Sequence, residues 1–152
     1  MSDSSDKVRM KGEWFITLYG PDGHVKDKRQ RFNVVTTVGK EFLASFLSSA
    51  AAGAATFTGK YIAIGTDATA EAVGNTALGV EASRSTGTAS YVSGQIFQVT
   101  ATFATGSGTG AIVEYGLLSS STGGTLIARD TESAINKGAN DTLTVVAQMT
   151  LS

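Results

Sequence analysis

Three closely spaced glycines, Gly106, Gly108 and Gly110, are the stretch of this sequence that most resembles a phosphate-binding loop. A dinucleotide fingerprint follows a strand and opens a helix, because the helix N-terminus holds the pyrophosphate. Here the glycines lie between two β-patterned segments, and no Lys-Ser or Lys-Thr pair follows them. We therefore interpret them as a flexible hairpin connection and not as a nucleotide site.

Side chains that could perform catalysis or bind a metal are sparse. His24 is the single histidine, and the chain has no cysteine. Without a second histidine or a thiolate, His24 cannot anchor an ordinary transition-metal site, and the many serines lack a general base. Asp67 and Glu71 are close in sequence, but the residues between them do not follow a calcium-loop pattern. We expect no enzyme activity, no metal and no cofactor.

The composition restricts the class of protein. The chain has 152 residues, a net charge of -1 and only 16% charged residues, which suits one domain with a surface that is uncharged or buried in an assembly. The net charge argues against a nucleic-acid-binding domain, because such domains usually carry a clear basic excess. No apolar run is long enough to span a membrane, and the polar start of the chain does not resemble a signal peptide. Synthesis in the cytoplasm is the expectation.

A strongly basic segment forms the second arm of a predicted hairpin. Its cations are Lys26, Lys28, Arg29 and Arg31. They could bind phosphates or an acidic protein surface, or they could be an exposed strand face that discourages edge-to-edge aggregation. Under the binding hypothesis, the contact residues are these four cations with the neighbouring Trp14 and Phe15.

Four other charges are isolated among apolar or small residues. They are Glu81, Arg84, Glu114 and Arg129. Surroundings of this kind predict partial burial, where an ion pair offsets the cost of desolvation. Either glutamate could pair with either arginine, within or between subunits.

The periodicity of apolar residues predicts a mainly β fold. Residues 1–11 are expected to be flexible, and residues 12–36 form a hairpin around the turn residues Pro21-Asp22-Gly23. Residues 37–50 carry one apolar stripe at helical spacing, with Thr37 as the predicted N-cap. The Ala-rich stretch that follows is interpreted as a flexible loop, and short alternating strands run from Lys60 onward. The prediction is a single domain, residues 12–152, folded as an antiparallel, jelly-roll-like β-sandwich with one amphipathic helix.

Seven short motifs, in this order, resemble a family of tailed-bacteriophage virion proteins. The likeness spans about Phe32 to Leu151. The motifs are Asn33-Val34-Val35-Thr36, Ile64-Gly65-Thr66, Thr76-Ala77-Leu78 with Glu81 and Arg84, Glu114-Tyr115-Gly116-Leu117, Leu126-Ile127-Ala128-Arg129, Ile135-Asn136-Lys137 and Asp141-Thr142-Leu143-Thr144-Val145. One departure is Glu132, where similar sequences often carry an aromatic residue, so an exposed or partner-facing position is expected there.

The resemblance implies a non-enzymatic virion component that decorates and cements the capsid surface. Its implied partners are the major capsid protein and further copies of itself, as a homotrimer, and neither nucleic acid nor membrane. A tail, baseplate or fibre protein is the alternative within the virion. A host-glycan-binding module is a third hypothesis, and its aromatic platforms would come from Trp14, Tyr61, Tyr91 and Tyr115.

Overall fold

The computed structural model describes residues 9–48 and 57–152. In chain order the elements are β1 (Met10–Tyr19), β2 (Val25–Val35), α1 (Thr37–Ser48), β3 (Tyr61–Gly65), β4 (Glu81–Thr86), β5 (Thr88–Ser93), β6 (Ile96–Phe103), β7 (Gly110–Leu118), β8 (Leu126–Lys137) and β9 (Thr142–Leu151). In the described part of the chain, no helix has the length and apolar character needed to cross a membrane.

The nine strands form one antiparallel sheet that curls into a nearly closed, barrel-like shape. Its strand order is β4-β3-β7-β8-β2-β1-β9-β6-β5. The prediction of a mainly antiparallel β fold with one helix is confirmed. The finer prediction of two stacked layers is not clearly met, because all strands within residues 9–48 and 57–152 belong to the same sheet.

Strict alternation of side chains places the core inside the barrel. In β1, Trp14, Ile16 and Leu18 are buried, and the residues between them are partly exposed. The same period of two fills the inner face from β6 and β9, as expected where successive side chains point to opposite faces of a sheet. A smaller apolar cluster, formed by Ala63, Leu118 and Leu126, packs on the other face of the wall with Leu78 from the loop that precedes β4.

Local signals explain the hairpin and the helix. Gly23 adopts φ of 80°, which is the left-handed conformation that the predicted turn requires. Helix α1 begins at Thr37, but its N-cap is Thr36 and not Thr37, because the Thr36 hydroxyl accepts a hydrogen bond of 2.9 Å from the Gly39 N–H. The Gly39 backbone packs closely against Ile127 of β8.

Two expectations concern residues outside the described ranges. The predicted flexibility of residues 1–11 falls mostly on residues 1–8, and the Ala-rich loop falls on residues 49–56. Of the first segment, Met10 and Lys11 already belong to β1, where they pair with Leu151 and Thr150 of β9.

The barrel closes at two different kinds of junction. At Gly87 the chain passes directly from β4 to β5, so one nearly continuous run pairs first with β3 and then with β6. The Gly87 N–H donates to the Lys60 carbonyl at 2.7 Å. On the other side, β2 pairs with β8 only at Val34 and Val35. We call the part of this second junction that lacks strand pairing, between residues 27–32 and residues 130–133, the seam.

Candidate functional site

The basic strand β2 divides its side chains between two faces. Arg31, Arg29 and Asp27 lie opposite Trp14, Ile16 and Leu18 of β1. Directly opposed residues of an antiparallel pair share a face, so these three charged side chains lie on the inner face of the wall. Lys28, Gln30 and Phe32 belong to the outer face. The four cations of the sequence prediction therefore do not form one continuous basic surface.

Arg29 crosses the seam with its guanidinium. It forms a bidentate pair with Asp27, at 2.9 and 2.8 Å, and its other nitrogen reaches the Ser133 hydroxyl at 2.7 Å and Glu132 at 3.4 Å. The hydrogen bond from Arg29 holds the pKa of Asp27 below its ordinary value. Bidentate arginine–carboxylate pairs of this kind fix geometry as well as charge. Arg29 thus holds β2 and β8 together where their backbones do not pair.

Arg31 crosses the same seam toward Asp130. Its Nε lies 3.8 Å from Asp130 Oδ2, which is an ion-pair distance but too long for a hydrogen bond. Asp130 is fully buried, and neither of its carboxylate oxygens has a hydrogen-bond partner among the described residues. Burial raises the pKa of Asp130 to about 7, against the opposing effect of Arg31.

Polar atoms of three further side chains share this buried environment. Trp14 Nε1, Tyr115 OH and Glu132 Oε1 are buried and also lack partners among the described residues. Tyr115 lies opposite Asp130 in the β7–β8 pairing, and its ring centroid is 6.3 Å from that of Trp14. Burial raises the pKa of Tyr115 and of Glu132 above their ordinary values. We call Trp14, Tyr115, Asp130 and Glu132 the inner polar cluster.

Two sequence expectations are corrected by this cluster. Trp14 was expected to contact a partner, but its side chain has no exposed surface and cannot do so without opening the barrel. Glu132 was expected to be exposed or partner-facing, but its side chain is only 4% exposed and faces Arg29 across the seam. In both cases the inner face of the sheet takes the side chain away from solvent.

The two lysines of β2 have different roles. Lys26 Nζ lies 2.8 Å from Asp141, whose side chain is 3% exposed, and this hydrogen bond lowers the pKa of Asp141. Lys28 is exposed, and it forms no ion pair within the described part of the chain. Of the four predicted contact cations, Lys28 therefore keeps its charge most available to another molecule.

The outer face of the β1–β2 hairpin also presents aromatic surface. Phe32 is 74% exposed, and Phe15 is partly exposed. Phe32 lies opposite Glu13, two residues from Phe15, so the two rings occupy diagonal positions of the same face. We call Phe15, Lys28 and Phe32 the outer hairpin face.

A second, apolar surface lies at the rim of the barrel beside α1. A groove of about 290 Å³ is lined there by Leu43, Phe46 and Leu47 of the helix, with Phe57, Phe97, Met10 and Leu151. Leu47 is 76% exposed, and Phe57 stacks edge-on with Phe46 and Phe97. The apolar stripe predicted for the helix therefore faces this groove as well as the core.

The isolated charges form two intramolecular pairs. Arg129 Nη2 lies 3.0 Å from Glu114 Oε2, and both side chains are almost completely buried. The Glu114 carboxylate also accepts backbone N–H groups of Asp67, Gly79 and Val80, at 2.8 to 3.2 Å. This pair therefore pins the loop of residues 66–80 against the outer face of β7 and β8.

The second pair is Glu81 with Arg84, at 2.6 Å and three residues apart. Arg84 also donates to the carbonyls of Ser120 and Gly123, at 2.7 and 2.8 Å. Through these contacts Arg84 ties β4 to the β7–β8 turn. The structure thus brings together each glutamate with one arginine, within a single chain.

The remaining candidates of the sequence have structural positions. Gly106, Gly108 and Gly110 all have positive φ, as a tight turn requires. The segment that they turn is not a hairpin, because β6 pairs with β5 and β9 whereas β7 pairs with β3 and β8. His24 is exposed at the β1–β2 turn, 3.1 Å from Asp22. Among the described residues, no group of three His, Cys, Asp or Glu side chains is arranged to hold a metal ion.

Asp67 and Glu71 are both engaged by the protein itself. Asp67 accepts the Thr69 hydroxyl at 2.9 Å, and Glu71 accepts the Thr131 hydroxyl and N–H. Sequence reasoning missed Asp130, although the adjacent charges Arg129 and Asp130 in an apolar strand are a detectable signal: alternation must place one on each face.

Comparison of the chain with family models, with curated proteins and with solved structures finds no match.

Proposed function

We propose that this protein is a non-enzymatic decoration, or cement, protein on the capsid surface of a tailed bacteriophage. It binds the outer shell, contacts the major capsid protein and stabilises the contacts between capsomers. The resemblance of its motif order to that of phage virion proteins supports this proposal. The same proposal includes self-association as a homotrimer and binding to neither nucleic acid nor membrane. It also includes a jelly-roll-like, sandwich arrangement of the strands.

The observation that carries the proposal is the exposed outer hairpin face. Phe32 has 74% of its surface in water, and aromatic residues are enriched at protein-binding surfaces. Lys28 adds an available positive charge on the same face, four residues away along β2. This face is suited to a shell surface that offers an apolar pocket and acidic residues, and it is smaller than the contact set predicted from the sequence.

The ion pairs explain why the contact set is smaller. Lys26, Arg29 and Arg31 each face an acidic side chain of the same molecule. Separating one of these pairs to contact a capsid would leave a buried or partly buried carboxylate without its partner. Phe15, Lys28 and Phe32 can contact a partner without that loss.

A shell-binding experiment tests the proposal directly. Capsids assembled without this protein are mixed with the purified chain, and binding and thermal opening are measured. Since the protein binds the assembled shell and not dissociated subunits, occupancy should raise the opening temperature by mass action. Failure to bind such shells, with binding to purified tails instead, would favour the tail, baseplate or fibre alternative.

Glycan binding is the weaker hypothesis on this geometry. Of the four aromatic residues proposed as platforms, Trp14 and Tyr115 are fully buried, Tyr61 is partly buried and Tyr91 is 73% exposed. One exposed ring is a poor platform for stacking a sugar chain. Under this hypothesis the purified protein would bind host-surface polysaccharide, and Tyr91→Ala would abolish that binding. Such a result would favour glycan binding over capsid decoration.

A further inference from the structure

Strand β5 ends the strand order, and its outer edge has no backbone partner among the described residues. All six of its residues are exposed. The strand pairs regularly with β6 from Thr88 to Tyr91, and the register shifts only after Tyr91. Along this regular stretch, alternate residues therefore present their backbone donors and acceptors to solvent.

This edge lacks the usual protection against pairing with another strand. Edge strands of monomeric proteins are commonly blunted by lysine, by proline or by inward-pointing charges. Residues 87–94 contain no charged residue and no proline. The open side of β2 is different, since Arg29 and Arg31 cross it to acidic residues of β8. The molecule thus places charged side chains along the unpaired side of β2 and none along the edge of β5.

The side chains of β5 favour strand pairing with a neutral partner. Thr, Tyr and Val are enriched in strands, and Tyr91 and Val92 are 73% and 42% exposed. Tyr91 lies opposite Phe97, which lines the apolar groove beside α1. A strand added to β5 would therefore also cover apolar surface that continues toward that groove.

We propose that β5 pairs with β5 of a second copy of this chain, antiparallel and about a twofold axis. Such a contact is self-complementary, because each copy supplies the same donors, acceptors and neutral side chains to the other. A charged partner strand would meet no opposite charge on β5, whereas two copies bring no like charges together. The contact joins copies in pairs and is separate from a threefold contact, which would use another surface.

The size of the contact sets its strength. A six-residue edge covers less than the roughly 800 Å² per partner of a standard stable interface. We therefore expect a concentration-dependent assembly with a dissociation constant on the order of micromolar or weaker. This pairing is a property of the isolated protein and does not depend on the proposed virion function.

The test combines a charge at the edge with a matched control. Val92→Lys places a cation in β5, and Val25→Lys places one on a valine that is 54% exposed at the start of β2. Sedimentation velocity at increasing concentration should show that Val92→Lys halves the mass of the largest assembly, while Val25→Lys leaves it unchanged. Circular dichroism checks that both variants are folded, and Ala89→Lys provides a second edge variant if Val92→Lys is not.

Single-cysteine variants locate the contact. Because the chain has no cysteine, each introduced thiol is unique, and a disulfide forms only where two Cα atoms approach to about 4.4–6.8 Å. Cysteines at Thr88, Ser90 and Val92 should give covalent dimers, with the highest yield nearest the twofold axis. Thr122→Cys, in the exposed β7–β8 turn, is the control. A protein that stays monomeric, a mass unaffected by Val92→Lys, or cross-linking no faster than that of Thr122→Cys would each overturn the proposal.

Discussion

Asp130 shows how one residue of the inner polar cluster links burial to stability. Its carboxylate is fully buried, it lacks hydrogen-bond partners among the described residues, and Arg31 approaches it only to 3.8 Å. The other charged groups that act on it are Glu71 and Glu132. A buried carboxylate that is not hydrogen-bonded is costly when ionised, so the protonated form is favoured.

This environment predicts a pH-dependent stability. The pKa of Asp130 is about 7 in the folded protein against an ordinary value of 3.8, so the folded state binds the proton more tightly. The contribution of Asp130 to the free energy of unfolding is therefore full below about pH 4 and is lost as the pH rises to 7. Asp130→Asn removes the charge, and its stabilising effect should be larger at pH 8 than at pH 5 by about 1 kcal/mol or more.

Urea denaturation at the two pH values measures this difference. Glu41→Gln removes an exposed carboxylate of α1 and serves as the control. It should change the free energy of unfolding equally at the two pH values. Burial also raises the pKa of Glu132, so Glu132→Gln should act in the same direction. An Asp130→Asn variant that loses stability equally at both pH values would show that Asp130 is ionised and well solvated in the folded protein.

Arg129 is the second residue whose removal has a defined consequence. Arg129→Ala would leave Glu114 as a buried charge held only by backbone N–H groups. Loss of one partner of a buried pair typically costs about 3–5 kcal/mol, so we expect a fall in the free energy of unfolding of about 3 kcal/mol. Lys28→Ala should change it by less than about 0.5 kcal/mol. Chemical denaturation compares the two, and an equal effect would contradict the role assigned to the Glu114–Arg129 pair.

At the scale of elements, the junction between β4 and β5 determines how the barrel closes. At Gly87 one run of chain stops pairing with β3 and starts pairing with β6, without a loop in between. A Cβ at this position would lie 2.5 Å from Val99, 2.8 Å from the Lys60 carbonyl oxygen and 3.0 Å from that of Thr100. Two of these neighbours are backbone atoms, so the strands themselves would have to separate.

Gly87→Ala should therefore destabilise the protein. Overpacking of this kind costs about 1–3 kcal/mol, which corresponds to a fall in Tm of roughly 2–12 °C for a chain of this size. Gly74→Ala is the matched control, since a Cβ there meets nothing within 4 Å. Thermal unfolding followed by circular dichroism measures both variants. A Gly87→Ala protein with an unchanged Tm would mean that the corner has more room than the close contacts indicate.

Sequence periodicity predicts the elements better than it predicts their arrangement. Alternation in β1, β6 and β9 identifies strands and core residues, because a period of two has a direct structural meaning. It does not reveal that β6 and β7 pair with different strands, since the glycine-rich segment between them has the same local signals as a hairpin. The single nearly closed sheet depends on long-range pairing, which no local pattern encodes.

At the scale of the whole molecule, the sparse charge is largely used internally. Arg29, Arg31 and Arg129 each bind carboxylates of the same chain. Alternation places Arg29 and Arg31 on one face of β2, but it does not give their acidic partners. Those partners depend on β8, about a hundred residues later in the chain. For the same reason the sequence suggested ion pairs at Glu81 and Glu114 without specifying which arginine each one takes.

The outer hairpin face makes a prediction about shell binding. Lys28→Glu reverses a charge without breaking an ion pair within the described residues, and Phe32→Ala removes exposed apolar surface. We expect each variant to bind capsids at least about tenfold more weakly, with a smaller salt dependence for Lys28→Glu. Lys40→Glu, at an exposed position of α1, is the control. Affinities that match the wild type for both variants would exclude this face as the contact surface.

The most direct test of the virion proposal is the copy number of this protein in purified particles. Quantitative mass spectrometry compares its abundance with that of the major capsid protein in the same sample. A decoration protein should be present at the same order of magnitude as the capsid protein, because it occupies repeated positions over the whole shell. A handful of copies per particle would instead place it in the tail or a fibre, and absence from the particle would contradict the proposed function altogether.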